Sequence, residues 1–107
     1  MLYKFKSSAA GDLIMLEPNG RRVLEIIGKD AGVTGIILPE QMPAAMGALT
    51  AAITQEEAAQ QAAIAQAKAK GELAPRFEAV SLRKRAMPLV EMLQRSMKES
   101  APITWGV

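Results

Sequence analysis

Asp12-Leu13-Ile14-Met15-Leu16-Glu17 sets four large apolar residues in a row and closes them with a carboxylate at each end. Gly11 precedes the run and Pro18-Asn19-Gly20 follows it. A short apolar run bounded by turn formers reads as a strand buried on both faces. Such a strand needs neighbours on both edges and a cover over both faces, and the rest of the chain divides between those two jobs. Upstream, Leu2 to Lys6 alternates, with Tyr3 and Phe5 on one side and Lys4 and Lys6 on the other, as a half-buried strand does. Ser7 to Gly11 is turn-prone and short enough for a hairpin. Pro18 pushes Glu17 to an extended conformation and ends the central strand. At the far end, Ile103-Thr104-Trp105-Gly106-Val107 alternates again and reads as a final strand anchored by Trp105. The strands of residues 2–6 and 103–107 are expected to flank Asp12–Glu17 and close both its edges.

Helices supply the cover. Asn19-Gly20 reads as a turn opening a short helix, with Val23, Leu24, Ile26 and Ile27 on its covered face and Gly28 as its stop. Ile36-Ile37-Leu38 is a short extended segment, read as an extra edge strand. Pro43 suits the first turn of the longest helix, which runs to about Lys70. Met42, Met46, Leu49 and Ile53 make its apolar stripe. From Gln55 onward it is Ala, Gln, Glu and Lys, held by propensity rather than by core burial. At 1.5 Å per residue this helix is about 40 Å long, against about 26 Å for a compact body of this size, so its distal half is expected to project. Gly71 ends it, residues 71–79 return the chain, and Ser81 is the N-cap of the last helix. There Leu82, Ala86, Leu89, Val90, Leu93 and Met97 keep helical spacing, with a kink expected at Pro88 rather than a break. The expected fold is α+β: one domain over residues 1–107, with a small antiparallel sheet of about three strands in the order β-β-α-(β)-α-α-β, covered by helices.

Composition narrows the function classes. Half the residues are apolar and 22% are charged, which is globular rather than disordered. Aromatics are only 4%, so the core is built from Leu, Ile, Val and seven Met. The net charge of +2 is spread along the chain, and no segment is a one-signed nucleic-acid arm. With no Cys and no His, the chain lacks thiolate chemistry, the commonest general base and the commonest transition-metal ligand. No cofactor is implied. No apolar run approaches the length of a membrane span, and a cytoplasmic location is expected.

Several stretches resemble one family. They are residues 1–7, Ala10-Gly11-Asp12-Leu13-Ile14-Met15, Leu24-Glu25-Ile26-Ile27-Gly28-Lys29, the run from Gly35 to Ala45, the run from Arg85 to Leu93, and residues 103–107. Together they resemble the small proteobacterial proteins catalogued as domain of unknown function 1840. The resemblance runs over nearly the whole chain, with residues 55–80 its least specific part. It implies a stand-alone bacterial domain with no assigned activity and no catalytic residues to carry over.

Four constellations are candidates for chemistry. In the turn Pro18-Asn19-Gly20-Arg21-Arg22, free N–H groups and a positive helix end can hold a phosphate or carboxylate, with Arg21 or Arg22 completing the site; two solvated arginines are the plainer reading. Arg83, Lys84, Arg85 and Arg95 form the main basic cluster. Consecutive helical residues point about 100° apart, and no aromatic platform lies beside them, so RNA or ribosome binding is the alternative rather than the leading reading. Met42 with Met46 and Met92 with Met97 have the spacing of core residues and no Cys or His to complete a metal site. Asp12, Glu17, Glu25, Asp30 and Glu40 are scattered over separate elements and define no acid–base pair. The stiff run Leu38-Pro39-Glu40-Gln41-Met42-Pro43 reads chiefly as the segment that aims the long helix. The leading expectation is a non-enzymatic assembly protein, a homodimer or the partner of another protein through helix 43–70 and any open edge strand.

Overall fold

A computed structural model of the chain describes residues 2–32, 34–77 and 80–106. The sheet has four strands: β1 (Leu2–Ser7), β2 (Ala10–Leu16), β3 (Gly35–Ile37) and β4 (Ile103–Trp105). Their order is β2-β1-β4-β3, and every neighbouring pair is antiparallel. Three α-helices complete the fold: α1 (Glu17–Ile26), α2 (Met42–Ala69) and α3 (Leu82–Lys98). A 3₁₀ turn over Pro39–Gln41 leads into α2. Residues 78 and 79 of the expected return segment and residue 107 of the expected last strand lie outside the described residues.

The α+β class and the hairpin stand, and the segment read as an extra strand pairs as β3. The centre of the sheet is different. β1, not β2, is flanked on both sides, and β2 is an edge strand. Nor is the apolar run buried on both faces: Met15 is 8% exposed, while Ile14 and Leu16 beside it are 56% and 61% exposed. The four-residue run therefore alternates like any half-covered strand, sending Leu13 and Met15 inward and Ile14 and Leu16 outward.

The expected turn at Asn19-Gly20 is also corrected. Both residues lie inside α1, which already begins at Glu17. Leu16, extended at φ −62° and ψ 149°, serves as the N-cap, and Pro18 sits in the first turn, where its missing N–H is no loss. Gly20 is glycine because the ring of Tyr3 lies on it, and a Cβ there would overlap the ring.

The core lies between the sheet and the helices. Tyr3, Phe5, Ile37, Ile103 and Trp105 point into it from the strands, and Val23, Leu24, Met42, Leu49, Ile53, Leu82, Leu89 and Leu93 from the helices. Trp105 anchors β4 as its place in the sequence predicts. It is 2% exposed, its indole N–H donates to the Gly32 carbonyl at 3.2 Å, and its ring packs 6.0 Å from that of Phe5. Gly35, its cross-strand partner, has no room for a Cβ beneath the indole. The Tyr3 hydroxyl donates to the Ala31 carbonyl at 3.0 Å, so two aromatic side chains hold adjacent carbonyls of one loop.

The long helix is continuous over 28 residues. The longest extent of the molecule is 52 Å against 28 and 22 Å, and its radius of gyration of 16.0 Å exceeds the roughly 13 Å of a compact chain this long. Gly71, at φ +70°, ends the helix, with the Glu72 N–H on the Ala67 carbonyl. Helix α3 runs unbroken through Pro88, which lies on its exposed side. Its buried stripe also takes in Met92, and it departs from expectation at its end. Met97 faces out, and Ser96 is buried, with its hydroxyl donating to Ser7 Oγ at 2.8 Å.

Candidate functional site: the open face of the sheet

Alternation puts two sets of side chains on the sheet. One set meets the helices. The other comprises Leu2, Lys4 and Lys6 of β1, Asp12, Ile14 and Leu16 of β2, Ile36 of β3 and Thr104 of β4, and among the described residues no element covers it. Register brings the aliphatic members together: Leu2 lies opposite Leu16, and Ile14 opposite Lys4. Leu2, Ile14 and Leu16 are 57%, 56% and 61% exposed, so they form one contiguous apolar corner. Lys4 and Asp12 border it as an ion pair at 3.5 Å. Ile36, opposite Thr104, is a fourth exposed aliphatic toward the other edge.

The residues singled out from sequence lie elsewhere. Arg21 pairs with Glu17 at 3.3 Å within α1, and Arg22 reaches Glu56 of α2 at 3.5 Å. Gly20 is covered by Tyr3, Asn19 is helical, and Glu17 puts a carboxylate in the first turn of α1, near its positive end. Asn19, Gly20, Arg21 and Arg22 thus lie along the first turns of α1 rather than in a turn ahead of it.

The basic cluster of α3 is likewise divided. Arg83 forks onto Glu57 at 2.8 and 3.0 Å. That hydrogen bond holds the Glu57 carboxyl below its ordinary value and raises the Arg83 guanidinium. Lys84 is exposed, and its backbone N–H donates to the Ser81 cap. Arg85 is half-buried, with its Nε unpartnered. Arg95, about 18 Å along the helix from Arg83, lines a groove between α3 and β2 with Asp12 and Glu91. The four cations form no single patch.

Sequence reading missed the acidic pair Glu56-Glu57. Glu56 Oε2 accepts from the Leu82 N–H at 2.9 Å, so a side chain of α2 caps the start of α3, while its other oxygen meets Arg22. The available signal was two adjacent carboxylates at the start of an Ala/Gln run. Among the described residues no acidic cluster can hold a metal ion, and no helix is long and apolar enough to cross a membrane. Met42 and Met92 are core residues, while Met97 is partly exposed.

These features define an α+β domain with one face of its sheet packed and the other bare. The chain belongs to the family described as Domain of unknown function (DUF1840), whose pattern matches residues 1–105. No curated protein and no solved structure matches it.

Proposed function

We propose that this protein works by assembly, and that the bare face of its sheet is the docking surface for a second copy of the chain. The observation that carries this reading is the corner of Leu2, Ile14 and Leu16, three aliphatic side chains in register and each more than half exposed. Contiguous exposed apolar patches on monomers are uncommon beyond a few hundred Å² and often functional.

A second copy suits the face for two reasons. Both charge signs are present, Lys4 and Lys6 with Asp12, so copies related by a two-fold axis can match unlike charges around an apolar centre. The three aromatic residues of the sheet, Tyr3, Phe5 and Trp105, all point into the core. The face therefore offers no stacking platform for nucleic-acid bases, and RNA association through Arg83, Lys84, Arg85 and Arg95 is the weaker reading.

Strands about 4.8 Å apart and a rise of about 3.3 Å per residue give the four-stranded face at most about 400 Å² of projected area. That is small beside the roughly 800 Å² per partner of a standard interface, so the dimer is reversible and concentration-dependent. The edge of β2, which carries no proline or lysine, extends the same surface. The distal half of α2 offers alanine and glutamine rather than large apolar side chains and contributes less. The setting is the bacterial cytoplasm, in keeping with a chain free of Cys.

Sedimentation equilibrium over a micromolar-to-millimolar series tests the reading. The unaltered chain is expected to move from monomer to dimer, and Ile14→Glu to stay monomeric throughout. A chain that remains monomeric at every concentration would sink the proposal, as would an Ile14→Glu variant that dimerises equally well.

A further inference from the structure

A second feature is independent of assembly. A groove of about 270 Å³ lies between the end of α1, β3 and the start of α2. Its accessible apolar walls are Ile27 and Ala44, set over the buried Ile37 and Ala45, and its polar groups are Lys29 and Gln41. Gly28, at φ +80°, also borders it, with open space where a Cβ would stand.

Lys29 is held in place rather than waving in solvent. Its Nζ donates to Gln41 Oε1 at 2.7 Å, and the same oxygen accepts from the Leu38 N–H at 2.9 Å. The Gln41 carbonyl is thus gripped from the backbone and in turn holds the ammonium. An ammonium has three donors, and this bond uses one. Among the described residues Lys29 forms no ion pair, and no acidic side chain lines the groove. A positioned, uncompensated cation beside aliphatic walls selects a ligand with one negative group and an apolar body.

Size sets the body. An apolar cavity of about 150 Å³ admits benzene, so this groove takes a body of roughly bicyclic size. We infer that it binds a small carboxylate with an aromatic or branched aliphatic body, its carboxylate on Lys29 Nζ and its body against Ile27 and Ala44.

The test titrates 2-naphthoate and its neutral analogue 2-naphthamide into the full ¹⁵N-labelled chain and follows amide shifts. Naphthoate is expected to move Gly28, Lys29, Ala44 and Ala45 saturably, and naphthamide to bind about tenfold more weakly for want of the charge-assisted bond. Lys29→Met should bring the two affinities together. Ala44→Leu, at an exposed helical position, should fill the groove and abolish both while leaving the circular dichroism unchanged. The inference fails if naphthoate causes no saturable shift at millimolar concentration. It also fails if the unaltered chain binds both compounds equally, or if neither variant alters binding.

Discussion

The two faces of this sheet are made by the same four strands and the same alternation, yet only one is a core. On the covered face stand Tyr3, Phe5, Met15, Ile37, Ile103 and Trp105, almost free of solvent. On the open face Leu2, Ile14 and Leu16 are as apolar as many core residues and remain more than half exposed. Hydrophobicity alone does not distinguish them. The covered side has the large rings, whose polar ends reach the carbonyls of Ala31 and Gly32, and glycines at Gly20 and Gly35 that admit those rings closely. The open side has aliphatic groups interleaved with Lys4, Lys6 and Asp12. Close fit marks the interior, and the open side leaves its apolar area unfitted.

Substitutions can break this contrast. Trp105→Ala has the largest expected effect, a loss of about 3–5 kcal/mol in chemical denaturation, because it empties a large buried site closely fitted by Gly35. An unchanged midpoint would remove Trp105 as the anchor. Gly20→Ala comes next. The added methyl meets the Tyr3 ring and should cost about 1–3 kcal/mol, whereas Gly47→Ala, in α2 with no atom near its Cβ, should stabilise by about 1 kcal/mol. Equal effects at the two glycines would show that Tyr3 yields easily.

Ile14→Glu, on the open face opposite Lys4, should shift the stability of the monomer by no more than about 0.5 kcal/mol while abolishing self-association. A large loss of monomer stability would mean that the open face is packed after all. The smallest effect belongs to Glu57. Its pKa is lowered in the fold by Arg83, so its contribution is present above the ordinary carboxylate value of 4.5 and is lost as pH falls through the folded value. A pair about half exposed to solvent contributes little, so Glu57→Gln should slightly flatten the acid limb of a stability–pH profile and leave neutral pH almost untouched. A carboxyl titration of Glu57 by NMR at or above the ordinary value would refute the pairing.

Local signals explain which elements were legible. Ser81 caps α3, Gly71 ends α2, Pro43 lies in its first turn, and the alternation of residues 2–6 and 103–105 marks strands, because each depends on a few neighbouring residues. The Asn19-Gly20 turn was misread because its usual signature was overridden from a distance. Tyr3 comes from β1 to cover Gly20 of α1, and no local pattern announces that contact. The candidate site was legible only in part. Ile14 and Leu16 were visible as apolar, but as core residues, and Gln41 was read only as part of the run that aims α2, because 12 positions separate it from Lys29.

By itself, the sequence determined the periodicities, the caps and breaks, the absence of Cys and His, and therefore the kind and order of the elements. Tertiary structure alone decided that β1 rather than β2 is central, which face of β2 is bare, and where the arginines find their carboxylates. The reason is physical. Propensity and alternation are properties of near neighbours, whereas strand order and burial depend on contacts between distant segments whose cost and reward are shared over the whole core.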